Sequence, residues 1–90
     1  MKYVKKPISV EAIRIPVSDE FAEWLVGAPK WFKEAFQIGK IFLHPSGLII
    51  ATLEGEMLCE WGNYLIRGIK GELYPCRRDI FEETYEVYND

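Results

Sequence analysis

The sequence predicts a small α+β domain, in which one short helical layer covers a strongly curved antiparallel sheet or a partly open barrel. A chain of 90 residues leaves room for one hydrophobic core, so that residues 1–90 are expected to form a single domain. Hydrophobic residues make up 49% of the chain and aromatic residues 14%, a composition that excludes a disordered segment. Helical spacing before residue 40 and β-prone runs after it predict the mixed class.

The first strand is predicted over residues 8–15. Apolar residues alternate with polar ones up to Ala12, and the parity then changes at Ile13, which is typical of a bulge or of a strand buried on both faces near its end. Pro7 and Pro16 stand at the two places where a strand tolerates proline best, its ends.

An interrupted helical layer is predicted next. Ser18 is a candidate N-cap, because its hydroxyl can accept from the free amides of a first helical turn. Gly27 can end this helix in the left-handed conformation, and Pro29 suits the first position of a second short helix. The residues expected to pack on the core from this layer are Phe21, Trp24, Leu25, Trp31, Phe32, Ala35 and Phe36.

The second half of the chain is predicted to be a meander of short strands. Residues 48–53 are continuously β-prone, a pattern typical of a strand that is covered on both sides. Residues 54–55 can close a hairpin because glycine accepts a positive φ. A single helical turn is expected at 78–83 and a closing strand at 85–88; the other strands are expected at 40–43, 56–60, 64–67 and 72–74.

Charge and hydropathy narrow the class of partner. The net charge is -3, whereas a sequence-independent nucleic-acid binder needs a positive field, so general nucleic-acid binding is not expected. No apolar run approaches the roughly 20 residues that cross a bilayer, and no signal-peptide core follows the basic first residues. We therefore expect a protein in the cytoplasm of a host cell, without a membrane partner. The high aromatic content of so short a chain also favours a homodimer.

The cysteines and the one histidine do not have the spacing of a metal site. Cys59 and Cys76 are seventeen residues apart and His44 is far from both in sequence, so that neither a metal nor another cofactor is expected. Cys59 is predicted to be a buried free thiol and Cys76 a second free thiol. No Ser/His/Asp set or Cys/His pair is recognisable, and we do not expect an enzyme.

Two segments of the chain carry a resemblance. Residues 3–13 read YVKKPISVEAI and residues 62–86 read GNYLIRGIKGELYPCRRDIFEETYE. Together they resemble a family of small phage and prophage proteins, mostly of unassigned function, that begin with "Y-x-K-K-P-x-x-V-E-A" and end with "G-D-Y-I-I-K-G-V-K-G-E-x-Y-P-C-K-P-D-I-F-E-x-T-Y-E". The chain departs from this pattern at Arg77 and Arg78, where the family has Lys-Pro, and at Trp61 and Asn63, which flank the glycine of a Pro-Gly-Asp turn. The resemblance implies a phage or prophage origin and an accessory role, such as counter-defence, and brings no catalytic residues.

The candidate binding residues lie in the closing segment. Guanidinium groups hold phosphate or carboxylate bidentately and tyrosine rings stack on bases, so that a groove with these groups would recognise an anion. The alternative is that the arginines pair with the neighbouring carboxylates of the same segment. The residues predicted to bind a ligand are Arg67, Lys70, Tyr74, Arg77 and Arg78. If the protein recognises an anion, the four basic residues of this set are expected to converge in space.

Three functions follow as hypotheses. The first is a non-catalytic phage-type accessory protein that acts by stoichiometric binding, either of a host or defence protein or of a small anionic ligand such as a nucleotide. The second is a structural, assembly or self-associating module of a phage, with exposed aromatic residues at the subunit contacts. The third and least favoured is an enzyme that acts on a nucleotide.

Overall fold

The computed structural model describes residues 1–4 and 6–88, which form two three-stranded antiparallel sheets and three α-helices. Within this part of the chain the α+β prediction is confirmed. The elements are β1 (Glu11–Arg14), a 3₁₀ turn (Ser18–Glu20), α1 (Phe21–Val26), α2 (Lys30–Gln37), β2 (Ile41–His44), β3 (Gly47–Thr52), β4 (Gly55–Glu60), β5 (Tyr64–Arg67), β6 (Leu73–Cys76) and α3 (Arg78–Thr84).

The strands do not form the single curved sheet or open barrel that the sequence predicts. The first sheet has the order β1-β5-β6, and the second is the meander β2-β3-β4. The chain leaves the second sheet at the turn after β4, where the backbone N–H of Gly62 donates to the carbonyl of Ile15 and the side chain of Arg14 donates to the carbonyl of Gly62. These bonds direct β5 onto β1 instead of onto β4, so the ladder is interrupted. β6 then lies against β3 and β4, which packs the two sheets together.

The helical layer packs on the inner face of the second sheet and forms the core with it. Phe32 of α2 is fully buried and contacts the rings of Phe21 and Trp24 from α1. Aromatic side chains of this layer pack on one another, so the predicted core role of the helical residues is confirmed for Phe21, Phe32 and Ala35. The partly buried side chains against this core are Ile13, Trp24, Leu25, Trp31, Phe36 and Trp61.

β3 is covered on one side only, although its sequence is typical of a strand covered on both. Leu48 and Ile50 are fully buried on the inner face. Ile49 is half-buried and Ala51 is exposed on the outer face, because no other element of residues 1–4 and 6–88 packs there. The prediction that this strand is covered on both sides was therefore wrong for its outer face in a single copy of the chain.

Several boundaries differ from the prediction, each for a local reason. The first strand is only four residues long because its partner β5 is also four residues long. Ser18 starts a 3₁₀ turn and makes no side-chain cap, and Gly27 ends α1 with φ -96°, outside the left-handed region. Pro29 precedes α2 as its N-cap instead of occupying its first position.

The closing strand predicted at 85–88 is not formed. The ring of Tyr85 stacks on Phe81 of α3 with 4.8 Å between centroids, which holds this residue at the end of the helix. Tyr85 therefore continues an aromatic column instead of joining a sheet edge.

Candidate functional site

The closing segment folds as one unit in which α3 covers the outer face of the first sheet. The side-chain oxygen of Asn63 accepts from the backbone N–H of Arg78 at 3.0 Å and so satisfies a free amide at the start of α3. The ring of Tyr64 on β5 stacks on Phe81 with 3.9 Å between centroids, and its hydroxyl donates to Glu82. Two neighbouring residues at the start of β5 thus hold the helix on the sheet.

Strand register separates two of the predicted binding residues. Arg67 lies opposite Leu73 and Glu11, on the face that points to the core. Tyr74 lies opposite Ile66, on the face that α3 covers. Because residues of a strand alternate between faces, Arg67 and Tyr74 point to opposite sides of the first sheet. Arg67 and Tyr74 therefore do not share a face on which both could contact one ligand.

Each of the three arginines has a carboxylate partner. The distances between the paired N and O atoms are 3.4 Å for Arg67 with Glu11, 2.6 Å for Arg77 with Asp79 and 3.4 Å for Arg78 with Glu82. Lys70 lies exposed in the turn between β5 and β6, where its backbone N–H donates to the carboxylate of Glu72. These contacts agree with the ion-pair alternative, and the anion-binding role of the five residues stays a prediction.

Replacing Arg77 and Arg78 together by alanine is expected to change the thermal midpoint only slightly, because both ion pairs are exposed to solvent. The two hydrogen bonds from Arg77 lower the pKa of Asp79, so the double variant should return this pKa toward its ordinary value. The contribution of the pair is present above the ordinary Asp pKa and is lost as pH falls through the lowered one. An NMR pH titration of the Asp79 carboxyl in both proteins measures the change; an unchanged pKa would contradict this account.

A groove of about 400 Å³ lies between the tip of the β3–β4 hairpin and β6. Leu53 stands at this tip and is 89% exposed. The turn is braced by Thr52, whose hydroxyl donates to the carbonyl of Gly55 and accepts from the backbone N–H of Glu54. A large apolar side chain is therefore held out in solvent by an ordered turn. The groove is lined by Thr52, Leu53, Glu54, Met57, Glu72, Leu73, Tyr74 and Pro75.

The free edge of β6 forms one wall of the groove. The backbone N–H of Gly68 donates to Glu72 on the β5 side, and bonded pairs alternate along an antiparallel ladder, so Tyr74 also pairs with β5. The backbone groups of Leu73 and Pro75 then point away from β5, toward the open edge. Pro75 occupies such a position because it has no N–H to donate to a ladder.

The charged side chains at the groove are acidic. Glu54 and Glu72 lie at its rim, and partial burial and the neighbouring Tyr85 raise the pKa of Tyr74, which also lines it. Of the five predicted binding residues only Tyr74 lines this groove. Sequence reasoning missed Leu53, because residues 48–53 are predicted to be one strand, whereas the structure ends β3 at Thr52 and places Leu53 in the hairpin turn.

A second, smaller cleft of about 150 Å³ lies between α2 and the β5–β6 turn. Arg67 lines it together with Trp31 and Leu73, and Lys40 and Glu34 lie at its rim. Of the residues predicted to bind a ligand, Arg67 is the one that a small anion would meet here, in a cleft that also carries the carboxylate of Glu34.

The two cysteine thiols are free, and one of them is buried, as the sequence predicts. Both cysteines are free, as predicted, and Cys59 is buried in the core. Burial raises the pKa of Cys59 to about 12, and burial also raises the pKa of Cys76. A neutral, buried thiol at Cys59 is a poor nucleophile.

Residues 1–4 and 6–88 contain no cluster of three or more His, Cys, Asp and Glu side chains that could hold a metal ion. Their helices are too short and too polar to cross a bilayer. Comparisons of the chain with protein-family models, with curated proteins and with solved structures find no match. The function is therefore argued from the geometry of the groove.

Proposed function

We propose that this protein is a non-catalytic accessory protein of the phage type, which acts by stoichiometric binding of a protein partner. The groove between the β3–β4 hairpin and β6 would receive a short extended segment of that partner. The observation that carries the proposal is the exposed side chain of Leu53, held by a braced turn beside an open strand edge. The phage origin and the accessory role rest on the resemblance of residues 3–13 and 62–86.

Apolar contact supplies the driving force in this proposal. Fully burying a leucine side chain contributes about 1.5–3 kcal/mol relative to leaving it in water. Leu53 is almost fully exposed and Met57 is about half exposed, so both have apolar surface to bury against a partner. The groove volume lies within the range of about 300–1,000 Å³ that is usual for binding pockets.

The open edge of β6 would set the direction in which a bound peptide runs. A peptide that adds to a strand edge gains main-chain hydrogen bonds, and its alternate side chains enter pockets beside the edge. Leu73 is buried, so the carbonyl of the half-buried Pro75 is the group available for this pairing. An extended segment therefore fits the groove better than a helix does.

Charge favours a basic segment over an anion. Glu54 and Glu72 lie at the rim of the groove and the net charge of the chain is -3. A partner segment with an apolar side chain flanked by Lys or Arg would be attracted, and a nucleotide would be repelled. Binding of a host or defence protein is for this reason preferred to the sequestering of an anion.

The experiment is a selection of peptides from a random display library against the immobilised protein, followed by titration of the selected peptide. We expect apolar segments with basic flanks and NMR shift changes at Leu53, Met57 and Tyr74. Leu53→Lys should weaken the peptide at least about tenfold, a loss of about 1.4 kcal/mol, because it removes apolar surface and repels the basic flanks. The matched control is Val26→Lys, which adds the same charge at a 77% exposed apolar residue outside the groove and should bind like wild type.

Nucleotides are titrated in parallel as the competing class of ligand. If they shift the resonances of Arg67, Lys70 and Arg77 while no peptide binds at the groove, the sequestering function is correct and protein binding through this groove is wrong. If the selected peptide binds wild type and Leu53→Lys equally, the groove is not its site.

A further inference from the structure

The outer face of the second sheet carries an apolar row that residues 1–4 and 6–88 leave partly exposed. The register of β2, β3 and β4 aligns Phe42, Ile49 and Leu58 across the three strands. Phe42 is 41% exposed, Leu58 is 39% exposed and Ile49 is half-buried. β3 thus has two apolar faces, as strands covered on both sides have, and only the inner one is covered.

Polar side chains flank this apolar row in two columns, one with a lysine and a histidine and the other with two glutamates. The pairing of β3 with its neighbours aligns His44 with Glu60 in one flanking row. In the other row, the backbone N–H of Ala51 donates to the carbonyl of Lys40, and Ala51 lies opposite Glu56. Ile41 and Cys59 are buried on the inner face, and the residues of a strand alternate between its two faces. The Cβ atoms of Lys40, His44, Glu56 and Glu60 therefore lie on the outer face. The β2 side therefore carries Lys40 and His44, and the β4 side carries Glu56 and Glu60.

We propose that a second copy of the chain covers this face, and that the two outer faces pack about a two-fold axis parallel to the strands. Such an axis places the β2 column of one protomer over the β4 column of the other. Lys40 then lies over the partner's Glu56, and His44 over the partner's Glu60. Phe42 packs on the partner's Leu58, and Ile49 packs on its own copy at the centre.

The charge pattern selects this axis. A two-fold axis perpendicular to the strands would place the acidic columns over each other and oppose Glu56 with Glu60, which costs free energy. The Nδ1 of His44 accepts from the backbone N–H of Ser46 at 3.0 Å, so Nε2 is the ring nitrogen that would meet the partner's Glu60 in this arrangement.

The size of the face predicts a reversible dimer. Three strands spaced about 4.8 Å apart, of which β2 has four residues and β3 and β4 have six each, present only a few hundred Å². Stable interfaces bury roughly 800 Å² on each partner, so we expect dissociation in the micromolar range. The surface is distinct from the groove, and the inference does not depend on the proposed function.

Sedimentation velocity across micromolar concentrations tests the proposal, with circular dichroism to verify that each variant is folded. Ile49→Asp should abolish the dimer, because it places two carboxylates together at the centre. Ile69→Asp is the matched control, since Ile69 is 62% exposed in a turn outside this face, and it should dimerise like wild type.

A charge exchange tests the axis. Lys40→Glu and Glu56→Lys, made singly, should each weaken the dimer about tenfold, because symmetry reverses two contacts at once. The double variant Lys40→Glu, Glu56→Lys should restore affinity to nearly that of wild type. A wild-type protein that stays monomeric, a dimer that Ile49→Asp leaves intact, or a double variant that remains weak would each overturn the proposal.

Discussion

Replacement of Phe32 by alanine is expected to lower the free energy of unfolding by about 3–5 kcal/mol. Phe32 is fully buried and lies at the centre of the helical layer. Its ring centroid is 5.0 Å from that of Trp24 and 6.4 Å from those of Phe21 and Phe36, so alanine would leave a cavity lined by rigid rings. A domain of this size has a total stability of about 5–15 kcal/mol, and the variant should be partly unfolded at moderate temperature.

Urea denaturation followed by tryptophan fluorescence measures this loss. Phe42→Ala is the matched control, because it removes the same atoms from a ring that is 41% exposed on the outer face of the second sheet. Phe42→Ala should lower the free energy of unfolding by less than half as much as Phe32→Ala does, since little cavity forms at a surface position. Equal losses for the two variants would show that the helical layer is not the centre of the core.

The positions of the elements could be predicted from local pattern, whereas their pairing could not. Helical spacing places Phe32 and Ala35 on one face of α2, and the structure buries both. The turns at 45–46, 53–54 and 61–63 each contain or directly precede a glycine, and the sequence predicts them to within one residue. Whether β5 continues the meander or pairs with β1 depends on hydrogen bonds between Gly62 and Ile15, which are 47 residues apart in sequence. No local pattern records such a contact.

The same limit applies to the candidate site. Arg67 and Tyr74 are close in sequence, but the register of β5 and β6 places them on opposite faces, and a shift of one residue would have placed them together. The groove escaped prediction because its walls come from the β3–β4 hairpin and from β6, which belong to different sheets.

The two proposed surfaces are compatible with each other. Met57 lines the groove and Leu58 belongs to the outer row, and neighbouring residues of a strand point to opposite faces. A dimer formed through the outer faces would therefore leave both grooves open. The dimer would carry two grooves, and together they would bind a partner with repeated segments more tightly than a single groove does.

The glycine at the start of β3 is expected to be the most sensitive backbone position of the second sheet. A Cβ atom at Gly47 would overlap the carbonyl oxygen of Cys59 and approach the Cα of Glu60 to 2.8 Å. These are backbone atoms of the paired strand β4, so they cannot move aside as a flexible side chain does. Gly47 also has φ +157°, near the limit of the region that other residues avoid.

Gly47→Ala should therefore cost at least about 3 kcal/mol, as overpacking against fixed atoms does. Two other glycines separate the causes in the same denaturation experiment. Gly55 has φ +110° and open space around its Cβ position, so Gly55→Ala should cost only the backbone strain of about 1–2 kcal/mol. Gly27 has φ -96° and open space, and Gly27→Ala should be neutral or stabilise the fold by about 0.4–1 kcal/mol. The expected order of loss is Gly47, Gly55, Gly27, and a Gly47→Ala protein as stable as Gly55→Ala would exclude the close approach of β3 and β4 on which the register of the second sheet depends.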